Sequence, residues 1–550
     1  MSLLLMDIAK IVLVLSSFVA YASEAQEQPK VMIPNVGTVF GTTSLISKNT
    51  AVYNGIPYAK PPINDLRWQP PQPFGKFGEL NATNFGSECM QFDLHHTKPN
   101  VSEDCLFLNV AAPYEVSSTK LKPVMVWIHG GAYVDGSSNL YTPDTIVARS
   151  NNSIICVTLN YRLNIFGFLG GEDIKKRSND GSSGNFGIQD QQMAIQWVKN
   201  NIAAFGGNGD DITIFGESAG GNSVFNYLTQ KKSFSLYNKA IIESGVYNEG
   251  AFSFDESNKQ YNKAKEITFC YTLDCMLNKT AKELLNAFGA MAASGFPDWG
   301  PVVDNVSLKD TPENLITNND YNNNVPIIIG SNRDEMAFFF ISSIKNDLTK
   351  AGLDAILDAR SIVGDKKKEL MYLYSPENYT YPKKLGKFSL YWWQATRIGT
   401  DFVPGLGACA VRNIARKLVK GNSPKVFSYL FAHPTKSVKD HLPGCGPNST
   451  TVGHATEIVY VYNDFLMLKQ GEEQNLALAM SSYWINFAKT GDPSSDLSPT
   501  KWPLFTVEND EVLRFDTTSD RGIHIQSGLR KKQCDYQEIN RFGSMGHKTL

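Results

Sequence analysis

One pentapeptide constrains this chain more than any other stretch. Gly216-Glu217-Ser218-Ala219-Gly220 directly follows the apolar, β-branched run Asp211–Phe215 (DITIF). A G-x-S-x-G segment between a strand and a helix forms a sharp, strained turn. Crowding there requires the residues two before and two after the serine to lack side chains. The hydroxyl of Ser218 is then held clear of the sheet at a helix start. The unpaired N–H groups and the positive end of the helix dipole gather at that point. A serine so placed is a nucleophile, and the Ala219 N–H is positioned to receive an oxyanion.

The surrounding pattern supplies the setting. Pro123–His129 (PVMVWIH) and Ser153–Asn160 (SIICVTLN) read as buried strands, as do Ala240–Glu243, Val325–Gly330 and Lys425–Phe431. Gln189–Phe205 carries helical spacing, with Trp197, Val198 and Ile202 among polar residues. Alternation of strands and helices predicts an α/β fold with a large, mostly parallel sheet and helices on both faces. Such sheets carry their sites at the carboxyl ends of strands. A second glycine-rich turn, His129-Gly130-Gly131-Ala132, ends the strand VMVWI. It matches the HGG type of loop, so Gly131 and Ala132 are expected to donate with Ala219 into a three-donor oxyanion hole.

Composition narrows the class. Among 550 residues, 52 basic and 54 acidic side chains leave a net charge of −2, which argues against a nucleic-acid partner. With 42% hydrophobic and 19% charged residues the chain is globular rather than disordered. No His/Cys/Asp cluster shows metal-ligand spacing, so neither a metal nor another cofactor is expected.

The apolar run Ile11–Ala22 ends in the small-x-small pattern Ala20-Tyr21-Ala22, before polar SEAQEQ. It reads as a signal peptide, residues 1–22, rather than a transmembrane anchor. No further run of spanning length follows, and the tail His547–Leu550 matches neither a GPI signal nor a KDEL-type signal. A secretory or extracellular location is expected, with seven N-x-S/T sequons as candidate glycan sites: Asn81, Asn100, Asn151, Asn278, Asn305, Asn378 and Asn448.

Longer stretches carry a family resemblance. Gly184–Gly221, Asn54–Pro62 (NGIPYAKPP), Ser102–Val110 (SEDCLFLNV) and Asn160–Leu169 (NYRLNIFGFL) resemble the type-B carboxylesterase and cholinesterase family, of α/β-hydrolase fold. The likeness runs from about Pro34 to about Cys534 and implies one such domain over residues 23–550. It also implies a Ser-acid-His hydrolase acting on a small carboxylic ester through an acyl-enzyme.

In that fold the acid and histidine follow the serine along the chain. After VPIIIG comes Ser331-Asn332-Arg333-Asp334-Glu335, where the family pattern implies Glu335, with Asp334 as the alternative. Five of the eight histidines follow Glu335: His433, His441, His454, His524 and His547. His454, in Val452–Ile458 (VGHATEI), resembles the family's H-x-x-E-[IL] loop, although Thr451 stands where the family has glycine; His441 is its rival. Glu217 matches a family carboxylate near the site, with a structural hydrogen-bonding role equally open.

The resemblance further implies the bridges Cys89–Cys105, Cys270–Cys275 and Cys409–Cys534, leaving Cys156 and Cys445 as free thiols. The tryptophan that holds choline in cholinesterases by cation–π contact has no counterpart in QFDLHHTKPNVSEDC, so choline selectivity is not expected. Phe296, Trp299, Phe338, Phe339 and Phe340 are candidates for the pocket wall, against ordinary core positions. Two other readings stand beside the esterase: a non-catalytic adhesion module of the same fold, and a lipase. The sequence does not fix the oligomeric state.

Overall fold

The computed structural model describes residues 27–92, 100–246, 251–293, 299–402, 406–436, 445 and 448–540. The signal segment 1–22, His95, His96, Phe296, His441 and His547 lie outside them. The centre is a sheet of eleven strands. In chain order these are β1 (Thr42–Thr43), β2 (Thr50–Pro57), β3 (Phe107–Pro113), β4 (Lys122–Ile128), β5 (Ile155–Leu159), β6 (Gly207–Glu217), β7 (Lys239–Glu243), β8 (Ile327–Asn332), β9 (Val426–Phe431), β10 (Glu511–Phe515) and β11 (His524–Ser527). Across the sheet they run β11-β10-β9-β8-β7-β6-β4-β5-β3-β2-β1.

The run from β5 to β10 is parallel throughout, and the antiparallel pairs are confined to the flanks. The fold is thus α/β and mostly parallel, with antiparallel edges. Strands β2 and β3 overlap two of the stretches that carry the family resemblance. Short loops join the antiparallel pairs β1–β2 and β10–β11 as hairpins, whereas β2 and β3 pair antiparallel across a long connection.

Side chains of the central strands alternate between two cores, as the two-residue period of a strand requires. Val124, Val126 and Ile128 of β4 face one layer, with Ile212, Ile214, Ile327 and Ile329. Met125 and Trp127 face the other, with Phe215, Ile241 and Ile328. The first layer is closed by helices such as Phe186–Asn201, Ala219–Tyr227 and Ala408–Lys420, and the second by Pro143–Arg149 and Glu472–Thr490. The helix expected at Gln189 begins at Phe186, and its last turn, Ile202–Phe205, tightens to 3₁₀ form. Among the described residues no helix is long and apolar enough to cross a membrane.

Three disulfides cross-link the chain, Cys89–Cys105, Cys270–Cys275 and Cys409–Cys534. Cys156 is a buried free thiol in β5 and Cys445 is a half-buried one. Between β8 and β9 the helices Ala337–Ser343, Lys350–Ala359, Gly364–Leu373 and Leu390–Phe402 build a separate apolar cluster around Trp392 and Trp393.

Candidate active site

The carboxyl ends of β4, β6, β7 and β8 converge. Ser218 follows β6 with φ 57° and ψ −124°, a left-handed conformation that costs a non-glycine residue roughly 1–3 kcal/mol. Neighbouring strands hold it there. The Ser218 N–H donates to the Glu243 carbonyl at the end of β7 (2.9 Å), and the Asn222 N–H donates to the Ser218 carbonyl (2.8 Å). The glycine requirement has a specific cause: a Cβ on Gly220 would lie 1.9 Å from the carbonyl oxygen of Ile128, at the tip of β4. The helix Ala219–Tyr227 is therefore pressed end-on against β4. As its first residue, Ala219 has no intrahelical acceptor for its N–H.

The loop after β4 arches over this turn. Gly131, Ala132 and Tyr133 have φ of 107°, 51° and 61° in succession. The Gly131 carbonyl accepts from the Val134 (2.9 Å) and Asp135 (3.0 Å) N–H groups. A Cβ on Gly131 would meet the Asp135 carbonyl at 2.2 Å. Gly130 comes so close to the serine that its Cβ would sit 3.0 Å from that of Ser218. The N–H-bearing backbone of 131–132 and the start of the Ser218 helix thus share one end of the sheet. His129 is not a candidate base. Its ring is stacked on Tyr161 at 4.4 Å, its Nδ1 lies 2.8 Å from the Gly130 carbonyl, and burial pulls its pKa to about 4.

Asp334 and Glu335, adjacent in sequence, point to different partners. Asp334 is buried against arginines, 2.9 Å from Arg333 Nη2 and 2.7 Å from Arg397 Nε, and accepts from the Val452 N–H (3.0 Å). Burial alone would raise its pKa, but Arg333, Arg397 and Arg530 outweigh that and hold it below the usual range. Glu335 is fully buried and accepts from Ser244 Oγ (2.7 Å) and the Asn332 N–H (2.5 Å) through Oε1. Its Oε2 lies 2.7 Å from His454 Nδ1. A carboxylate can only accept, so Nδ1 carries a proton and Nε2 is left as the basic nitrogen.

Nε2 of His454 comes within 3.1 Å of Glu217 Oε1, on the residue preceding Ser218, but neither atom completes a hydrogen bond there. Histidine and acid thus reach the serine turn from two loops far apart in the chain. The other described histidines after Glu335 lie elsewhere. His433 is held by Glu473, and His524 stands in edge strand β11.

Behind this group lies a set of buried carboxyls. Glu217, Glu243, Glu335 and Glu457 are all essentially solvent-free. Trp484 Nε1 donates to Glu243 (2.8 Å), and Asn332 Nδ2 donates to Glu457. Burial pushes Glu243 up to about 8, with the Glu217 charge adding to it. Burial likewise raises Glu457, reinforced by its carboxylate neighbours, and raises Glu217. For His454, burial lowers the pKa, but the charges of Glu217 and Glu335 outweigh it, so the net shift is upward. Ser244 and Glu243 belong to no sequence motif, and Glu457 stands in the sequence only as the acid of the H-x-x-E pattern that begins at His454. The usable signal for Ser244 and Glu243 was their place at the carboxyl end of a parallel strand.

The aromatic candidates divide. Phe338 and Phe339 are half-buried, with ring centroids 6.2 and 5.6 Å from that of His454. Phe340 turns into the helical cluster, and Trp299 is buried against Phe288 at 6.1 Å. Both are core residues rather than pocket wall: Phe340 because the helix Ala337–Ser343 points successive side chains in different directions, and Trp299 because it packs into the main core.

Comparison with known proteins supplies the class. Residues 27–537 match the model of the carboxylesterase family. Over 94% of its length the chain is 29% identical to the acetylcholinesterase of Electrophorus electricus, covering 89% of that protein. It is 30% identical to carboxylesterase 1D of Rattus norvegicus over 88% of this chain and 90% of that one. Among solved structures, a carboxylesterase of Geobacillus stearothermophilus superposes with a TM-score of 0.74 at 27% identity, spanning 92% of this chain and all of the other. The chain therefore belongs to the carboxylesterase family, a carboxylic ester hydrolase of α/β-hydrolase fold.

Proposed function

We propose that Ser218, His454 and Glu335 act as nucleophile, general base and orienting acid in a two-step acyl transfer. The observation that carries this reading is the buried hydrogen bond from His454 Nδ1 to Glu335 (2.7 Å), which presents Nε2 toward the turn bearing Ser218. Ser218 attacks the ester carbonyl while His454 Nε2 takes its proton. The N–H groups of Gly131, Ala132 and Ala219 receive the oxyanion. The imidazolium then protonates the departing alcohol, and its charge is balanced by Glu335 and Glu217. Water repeats the sequence on the acyl-enzyme, releasing the acid and restoring Ser218. Such chemistry uses no cofactor.

The substrate class we infer is a broad set of small carboxylic esters, without choline selectivity. Phe338 and Phe339 beside His454 offer an apolar wall, and the stretch before Cys105 lacks a tryptophan for a quaternary ammonium. We read residues 23–550 as one catalytic unit, because the three triad segments are drawn from 218 to 454. Three disulfides favour an oxidising, secretory compartment. Asn81, Asn100, Asn151, Asn278, Asn305 and Asn448 are exposed enough to take glycans. Asn378 is half-buried, with its amide donating to Tyr372 and Ser375, and is the weakest acceptor.

The direct test is Ser218→Ala, assayed on p-nitrophenyl acetate with a melting curve alongside. Hydrolysis is expected to vanish while the fold persists; wild-type turnover in that variant would overturn the assignment. A panel of acyl lengths and alcohols, choline included, then defines the substrate.

A further inference from the structure

A second cluster of chemistry-bearing side chains lies at other strand ends of the same sheet. His433 stands two residues beyond β9, and Asp516 directly follows β10, its parallel neighbour. Asp520 closes the short 3₁₀ turn Thr518–Asp520. Sequence spacing conceals the group, because its members come from separate elements. In the fold, one ligand atom from each of His433, Asp516 and Asp520 lies within 4.8 Å of the other two.

The arrangement is built to present these atoms. Glu473, at the start of helix Glu472–Thr490, lies 3.1 Å from His433 Nε2. Glu473 is itself fixed, accepting from the Lys436 N–H (2.7 Å) through Oε1 and from the Lys469 N–H (2.9 Å) through Oε2. Because a carboxylate only accepts, Nε2 carries a proton, and Nδ1 is the nitrogen that a cation would take in exchange for its proton. A carboxylate on the far nitrogen is the arrangement that orients metal-bound histidines.

On the near side, Nδ1 faces Asp516 Oδ1 at 3.6 Å. Oδ1 also accepts from the Thr517 N–H (3.1 Å), while Arg514 Nη2 takes the other oxygen of Asp516 at 3.2 Å. The Thr517 hydroxyl, 3.4 Å from Nδ1, is a long contact and is shared with Ser519 Oγ at 3.1 Å. The turn bearing Asp520 is pinned by Glu472, which accepts from the Ser519 N–H (3.0 Å), from Ser519 Oγ (2.9 Å) and from Thr518 Oγ1 (2.5 Å). His433 and Asp516 are buried and Asp520 is exposed, so the group is walled on one side and open to water on the other.

An imidazole lone pair facing carboxylate oxygens repels them unless a positive charge lies between. A single proton on Nδ1 would satisfy Asp516 but leaves Asp520 without a task. A divalent cation satisfies all three and takes water on the open side. One nitrogen and two carboxylates suit a borderline ion of the zinc class, whereas magnesium and calcium prefer sets made only of oxygen.

We propose that His433, Asp516 and Asp520 form a divalent-cation site of the zinc class, oriented by Glu473, that ties β9, β10 and helix Glu472–Thr490 together. Its role is cohesion rather than ester chemistry, since it shares no residue with the triad.

The test is calorimetric titration of Zn²⁺ into tag-free, chelator-treated full-length protein, with thermal melting in parallel. One equivalent of zinc is expected to bind and to raise the melting temperature, with Ca²⁺ and Mg²⁺ giving no shift. Asp520→Asn removes an exposed ligand without disturbing the core and should abolish both effects. Glu473→Gln should weaken binding by roughly 10–100-fold. If zinc fails to bind, or Asp520→Asn binds it as tightly as the parent, the site does not exist. His433 is then an imidazolium between Glu473 and Asp516.

Discussion

The turn bearing Ser218 and the loops bearing Glu335 and His454 reach the same site by opposite means. The serine turn is a backbone construction. It depends on glycines, on a carbonyl 1.9 Å from where a side chain would start, and on main-chain hydrogen bonds to the strand beside it. The acid and histidine loops are side-chain constructions, held by arginines and buried hydroxyl and amide donors from distant segments. A backbone site fails by collision, in the manner of overpacking. A side-chain site fails by leaving a charge or donor unpaired. The two should therefore break differently.

The largest effect is expected on the serine side. Gly220→Ala drives a methyl into the Ile128 carbonyl, at or beyond the top of the ~1–3 kcal/mol range for overpacking. Loss of folded yield and of all turnover is expected, read by circular dichroism and ester assay. Next comes Glu335→Gln, which leaves the volume unchanged but loses the charge that holds the imidazole. kcat should fall by on the order of 10⁴ with the melting temperature nearly unchanged, as for other triads that lose this group.

Asp334→Asn, one residue earlier, should do the reverse. Stripping the partner from Arg333 and Arg397 should cost about 3–5 kcal/mol of stability by denaturant melt, with a smaller loss of kcat. That crossed pair of outcomes would separate the two carboxyls cleanly.

The smallest effect is a shift in pH dependence. Activity requires neutral His454. The anionic neighbours raise its pKa, so the acidic limb of kcat/KM should lie above the ordinary histidine value near 6.5. Glu217→Gln removes the foremost of those charges, and the limb should move to lower pH with only a modest loss of maximal rate. An unmoved limb would mean that Glu217 holds its proton throughout.

The same contrast explains what was legible in the sequence. The serine turn and the HGG loop are written in contiguous residues, because their geometry is set within a few positions of the chain. Glu335 and His454 could be named only through the family likeness, and Asp334 and His441 stayed open beside them. Nothing local distinguishes Asp334 from its neighbour; the difference lies in Arg397 and Ser244, from other elements. Ser244 and Glu243 went unmarked for the same reason, Glu457 showed only as one letter of the histidine motif, and the inward turn of Phe340 depends on helix phase. The central parallel strands were plain from their apolar runs. The antiparallel flank β1–β3 was not, since β2 and β3 meet across a long connection and their pairing is set by the tertiary fold rather than by composition.

The Cys409–Cys534 bridge spans 125 positions and encloses His454, whereas Ser218 and Glu335 lie outside it. A protease that nicks the backbone once anywhere between those cysteines cannot release the histidine from the serine. The cleaved enzyme stays one covalent molecule, of full size on a gel without reductant and in two pieces with it. Survival of a single cut is thus a property of this chain only while that bridge stays oxidised.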